Sequence, residues 1–66
     1  MKIGEKIRLK RLEKGMTQEE LANAIGLSSK QIIYHYESGF RNPSLEILEK
    51  MSDVFNCKLF IEFKEK

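Results

Sequence analysis

The sequence predicts an all-α domain of four short helices, followed by a C-terminal β-strand. Three observations carry that reading. Turn signals at Gly15, Gly26, Gly39 and Asn42-Pro43 divide the chain into short pieces. Within the pieces, good helix formers and apolar residues at helical spacing dominate, most clearly in Leu45, Leu48, Met51, Ser52 and Phe55. After Asn56 the period drops to two: Cys57, Leu59, Ile61 and Phe63 alternate with Lys58, Phe60, Glu62 and Lys64, and only Phe60 breaks the pattern.

Each element has its own justification. The first helix, about Ile3 to Lys14, rests on propensity, because Ile7 and Leu12 do not share a clean face with Leu9. The second begins at a capping box, Thr17-Gln18-Glu19-Glu20, in which the Thr17 hydroxyl accepts from the Glu20 N–H and the Glu20 carboxylate reaches back. Leu21, Ala22 and Ile25 form its buried side, and Gly26 suits the left-handed position beyond its end. Ser28 or Ser29 caps the third helix, which carries Ile32, Ile33 and Tyr36 and stops at Gly39. Asn42 caps the fourth, with Pro43 at its first position, where the missing N–H costs nothing. Residues 57–64 read as a strand from their β-branched and aromatic content; a fifth helix is the competing reading, since Leu59, Phe60 and Phe63 also share a helical face.

Sixty-six residues allow one domain, here a helical core over 3–56 plus the strand at 57–64. No apolar run approaches the roughly 18 residues of a membrane span, and the charged start has no signal-peptide core, so a cytoplasmic, nucleoid-associated location is expected. Cys57 is the sole cysteine and is expected to be a buried, inert thiol. With His35 as the sole histidine, no Cys/His set exists for zinc, and neither a cofactor nor a small-molecule ligand is expected. Nor is there a nucleophile-base set or a phosphate loop, so the chain is not expected to be an enzyme. Charge is uneven: residues 1–14 hold six cations against Glu5 and Glu13, a net +4, while residues 15–42 and 43–66 each sum to −1.

Two short helices joined by a turn of about four residues around Gly26 form a helix-turn-helix unit whose second helix can enter a major groove. The string itself is more specific. Gly15-Met16-Thr17-Gln18-Glu19-Glu20-Leu21-Ala22, then Ile25-Gly26-Leu27-Ser28, then Tyr36-Glu37-Ser38-Gly39 and Arg41-Asn42-Pro43-Ser44-Leu45 closely resemble the Cro and phage-repressor helix-turn-helix family over roughly residues 3–56. The resemblance implies binding to operator DNA, with double-stranded DNA and a second copy of the chain as partners and palindromic half-sites about 34 Å apart. The chain departs from the family in one place, carrying one residue more between Gly26 and Tyr36-Glu37 than the usual count. Aligning Ile33 with the family's core isoleucine puts the extra residue in the turn or the first helical turn.

A major groove about 12 Å wide admits one helix, which presents base readers from its N-terminal half and outer face. Lys30, Gln31, Tyr34 and His35 meet that requirement. Gln31 could pair bidentately with adenine and Lys30 could donate to guanine, while the bland alternative makes Gln31 the closing member of a Ser28 capping box. Tyr34 has packing, and His35 simple exposure, as alternatives. Ile32 either touches a thymine methyl or is buried together with Ile33. For phosphate, the candidates are Gln18, which the resemblance puts at the family's phosphate-binding place, then Ser29, Arg41 and Asn42, although Asn42 has its capping role as an alternative. The resemblance also gives Arg11 and Glu37 the places of a buried ion pair tying helix 1 to the end of helix 3. The other basic residues of helix 1 read as a solvated face.

A strand over 57–64 has no partner in its own helical chain, so the expected partner is the same strand of a second subunit, with Leu59, Ile61 and Phe63 inside the joint. The resulting expectation is a homodimeric transcriptional repressor that blocks a promoter by occupancy. The alternative is an antitoxin that binds a toxin protein and autoregulates through the same DNA binding.

Overall fold

The structure, a computed structural model, describes residues 2–59. Within them the chain forms α1 (Ile3–Glu13), α2 (Gln18–Ala24), α3 (Lys30–Ser38) and α4 (Leu45–Val54). The all-α core expected from the sequence is present.

The weak stripe of α1 has a specific form. The helix buries Gly4, Ile7 and Arg11, one turn apart on one face, and leaves Leu9 and Leu12 about half exposed. Only one ordinary hydrophobe, Ile7, therefore anchors α1 to the core. Gly4 explains how it gets close: a Cβ there would lie 2.7 Å from the Glu37 carbonyl oxygen and closer still to that of Tyr36, so only glycine lets α1 press against the end of α3.

Helix α2 opens with the full capping box, Glu20 N–H to Thr17 Oγ1 at 3.0 Å and Thr17 N–H to Glu20 Oε1 at 2.8 Å. It closes in a Schellman motif: Gly26 is left-handed at φ 80°, its N–H donates to Asn23 O, and Leu27 N–H donates to Ala22 O at 2.8 Å. The chain reverses sharply there, and α3 crosses α2 and α1 together. Leu21, Ile33 and Met51 are the fully buried centre, with Ile7, Ala22, Ile25 and Phe55 around them. Truncating such a residue to alanine typically costs about 2–5 kcal/mol.

Two local expectations are corrected. Helix α4 is capped by Ser44, whose Oγ accepts from Ile47 N–H at 3.2 Å, and not by Asn42. Asn42 and Pro43 lie in the loop before it, since Ser44 places its hydroxyl three residues ahead of a free N–H and adopts the extended conformation a cap requires. Cys57 is an exposed free thiol donating weakly to Phe55 O, rather than a buried one.

The larger correction concerns the tail. No strand occurs among the described residues, so the fold is all-α without the expected dimerisation strand. The alternation ignored the end of α4, where Asn56 turns left-handed at φ 55° and Cys57 N–H donates back to Ser52 O at 2.9 Å. That closure turns residues 57–59 against the helices, and among the described residues there is no strand edge to pair with. Leu59 is half-buried and lines an apolar groove with Ile3, Ile7, Leu48, Met51 and Phe55 instead of lying in a sheet. The remainder of the expected strand, including Ile61 and Phe63, lies outside the described residues.

Candidate nucleic-acid interface

The outer surface of the molecule is organised by the first turn of α3. Ser29 caps it, its Oγ accepting from Gln31 N–H at 3.1 Å, and Ile32 N–H donates to Ser29 O at 3.3 Å. The helix then runs without interruption to Ser38. With Ser29 as cap, the third residue beyond is Ile32, so Gln31 cannot close a capping box. Its amide makes no hydrogen bond among the described residues and stands exposed beside Lys30.

That register sorts the helix into two sides. Ile33 is fully buried and Tyr36 packs against the core, which turns Lys30, Gln31 and Tyr34 outward and leaves His35 half exposed. Ile32 is half-buried, so the two isoleucines are not equivalent and only Ile33 belongs to the core. The His35 ring lies 4.9 Å from the ring of Phe40 and 6.0 Å from that of Tyr34, both tilted, which makes a short aromatic row at the C-terminal end of α3. Phe40, 76% exposed, was not singled out by the sequence because it sits in a loop with no periodicity to flag it. Only its position between Gly39 and Arg41 could have drawn attention.

Arg41 and Asn42 are exposed in the same loop, and the Arg41 N–H donates to His35 O at 3.1 Å, folding the loop back over the helix end. On the other side, Gln18 and Lys30 share an open cleft of about 520 Å³ between α2 and the start of α3, lined also by Thr17, Glu19, Glu20 and Asn23. Asn23 is a second residue the sequence did not flag, since an exposed position on a short helix carries no pattern of its own. Ser29 is half-buried and its oxygen accepts one hydrogen bond as a cap, which leaves its hydroxyl hydrogen free to donate to a phosphate.

Behind this surface is a buried polar cluster. Arg11 Nε donates to Glu37 Oε2 at 2.7 Å and Nη2 to Oε1 at 3.1 Å, a bidentate pair whose side chains are 9% and 4% exposed. Arg11 Nη1 donates further to Met16 O at 2.8 Å. Glu37 Oε1 accepts a second hydrogen bond from Gln18 Nε2 at 3.2 Å. One carboxylate therefore joins α1, α2 and α3. Elsewhere on α1 the charges are solvated, Lys10 pairing with Glu13 at 3.3 Å on the surface. Among the described residues no group of His, Cys, Asp and Glu is placed to hold a metal, and no helix is long and apolar enough to cross a membrane.

A short capped helix held by one buried isoleucine and a three-helix ion-pair cluster, with its polar N-terminal half turned outward, is a DNA-reading module. The chain belongs to the helix-turn-helix family, whose model matches residues 7–61. It is similar to an uncharacterised helix-turn-helix transcriptional regulator of Archaeoglobus fulgidus, 43% identical over 54 residues that span 82% of this chain and 76% of that one. It is also 42% identical over 54 residues to the phage CTXphi transcriptional repressor RstR of Vibrio cholerae, across 82% of this chain but only 48% of the repressor. The chain spans still less of some other relatives, 37% of a multi-protein-binding factor 1 homologue of Yarrowia lipolytica. Among solved structures, SinR, the master regulator for biofilm formation, in complex with DNA superposes with a TM-score of 0.78 at 36% identity, over 86% of this chain and 90% of that one. The N-terminal DNA-binding domain of SinR from Bacillus subtilis gives 0.75 at 37% identity, over 85% and 81%. The chain is thus a sequence-specific DNA-binding domain of a transcriptional regulator and not an enzyme.

Proposed function

We propose that the chain acts as a repressor, binding a palindromic operator as a homodimer with α3 of each copy in successive major grooves. The observation that carries this reading is the release of Gln31 from the helix cap. Ser29 performs the capping, so the Gln31 amide, with its donor and acceptor side by side, is available for the N6 and N7 edge of adenine. Lys30 supplies a donor for guanine N7 and O6 from the adjacent position, and Tyr34 and His35 contact the bases or sugars one turn further on. Gln18, Arg41, Asn42 and the Ser29 hydroxyl hold phosphates on either side of the groove, setting the depth and tilt of the helix without reading sequence.

Interface size favours two copies. A single module buries roughly 600–1,000 Å² of protein surface on DNA, at the small end for specific interfaces, and a two-fold pair doubles both the contacts and the length of sequence read. Similarity to a phage transcriptional repressor supports repression as the outcome of occupancy.

The test is enrichment of binding sites from a randomised duplex pool by the wild type and by Gln31→Ala, repeated on the enriched site at two salt concentrations. The expected result is a palindrome with half-sites about 10 base pairs apart, a steep salt slope, and loss of preference at one position per half-site in the variant. Failure of the folded wild type to enrich any sequence would overturn the proposal.

A further inference from the structure

We infer that Glu37 is a positioning residue for DNA binding, fixing which way the Gln18 amide faces so that one of its N–H groups is held out for a phosphate. The inference rests on the reading of Gln18 as a phosphate contact and adds what orients it. Both oxygens of Glu37 accept from the bidentate guanidinium of Arg11, and a carboxylate only accepts hydrogen bonds. The Gln18 side chain, 3.2 Å from Glu37 Oε1, must therefore present nitrogen to it, because the flipped amide would set carbonyl oxygen against carboxylate oxygen. The Glu37 side chain is 4% exposed, so water cannot take the place of the amide at low cost.

An amide nitrogen carries two hydrogens about 120° apart. With one committed to Glu37, the second is left for another acceptor, and Gln18 lines the open cleft that it shares with Lys30. A free glutamine on a helix would spread its amide over several rotamers and both flips; here a single acceptor selects the donor-outward state. Arg11 extends the chain of control to α1, since the guanidinium that holds the Glu37 carboxylate in place also fixes the acceptor of the Gln18 amide.

The test is a double-mutant cycle on affinity for the enriched operator, using Gln18→Ala, Glu37→Gln and both together, with folding of each checked by circular dichroism. Gln18→Ala is expected to weaken binding roughly tenfold per half-site, the usual cost of a hydrogen bond to a charged group, with the operator-to-random preference and the salt slope unchanged because glutamine carries no charge. Glu37→Gln is expected to weaken binding in the wild-type background and to add little once Gln18 is alanine. A loss with Glu37→Gln that persists undiminished in the Gln18→Ala background, or that falls on sequence preference, overturns the positioning role while leaving the phosphate contact standing. No loss with Gln18→Ala overturns the phosphate contact itself, and the positioning role with it.

Should Glu37→Gln fail to fold, the wild type alone decides through its Gln18 side-chain amide protons in nuclear magnetic resonance spectra. Before DNA is added, one proton should be shifted and slow to exchange, and only its partner should move on titration with operator. A pair of protons at the shifts of an exposed glutamine, both exchanging with water at the rate of an exposed amide, would overturn the inference.

Discussion

Removing Arg11 is the sharpest perturbation of this fold. Arg11→Met keeps much of the side-chain volume but leaves the Glu37 carboxylate 4% exposed, with Gln18 as its one remaining side-chain donor among the described residues. Breaking a buried ion pair from one side costs about 3–5 kcal/mol, because the surviving charge stays desolvated. A domain of this length holds roughly 3–10 kcal/mol of total stability at about 0.05–0.15 kcal/mol per residue, so the variant loses much or all of it. In urea, with a slope of about 1 kcal/mol/M for so small a chain, the midpoint should fall by roughly 3 M, or the protein should be unfolded before denaturant is added. Arg11→Met combined with Glu37→Leu should recover most of the loss, since apolar replacement of a buried pair is often neutral or stabilising. Met16 O loses its donor in both variants, so the comparison isolates the charge. A single variant costing under about 1 kcal/mol would show that solvent screens the pair, and a double variant no better than the single would show that packing by Arg11, not charge, holds α1 in place.

Gly4→Ala should lower the melting temperature, as about 1–3 kcal/mol of overpacking against the Tyr36 and Glu37 carbonyls outweighs the roughly 1 kcal/mol that alanine gains in helix propensity; thermal unfolding checks the sign, and a rise contradicts the close approach. Ser44→Ala should cost about 1 kcal/mol in urea titrations and Asn42→Ala almost nothing, which separates the cap of α4 from the loop before it. Arg41→Ala should reduce the slope of log affinity against log salt by about 0.9 per subunit at constant sequence preference, measured by fluorescence anisotropy. Ile33→Ala should lose about 2–5 kcal/mol and release the register of α3, seen together as a lower urea midpoint and relaxed operator preference.

Local signals and one family resemblance carried the sequence reading far. Thr17 with Glu20, Gly26 and Gly39 act through atoms a few residues away, so the bounds of α2 and the end of α3 were readable from neighbours alone. The resemblance supplied the pairing of Arg11 with Glu37, which lie 26 residues apart and carry no local pattern that joins them. Ser44 over Asn42 as the cap of α4 was a near miss of two residues between side chains of similar chemistry. The tail failed for a different reason: a period of two over 57–64 describes a strand only where an edge exists to receive it, and the left-handed Asn56 turns Cys57 and Leu59 along the helices instead.

Length, charge distribution, caps and turn glycines, all properties of contiguous residues, determined by themselves that this chain makes four short helices with a helix-turn-helix at their centre. What tertiary structure alone decided is how closely they meet: that Gly4 admits α1 to within carbonyl contact of α3, and that Glu37 accepts from both Arg11 and Gln18. Those outcomes depend on distances between residues far apart in the chain, which close packing sets and no local pattern encodes.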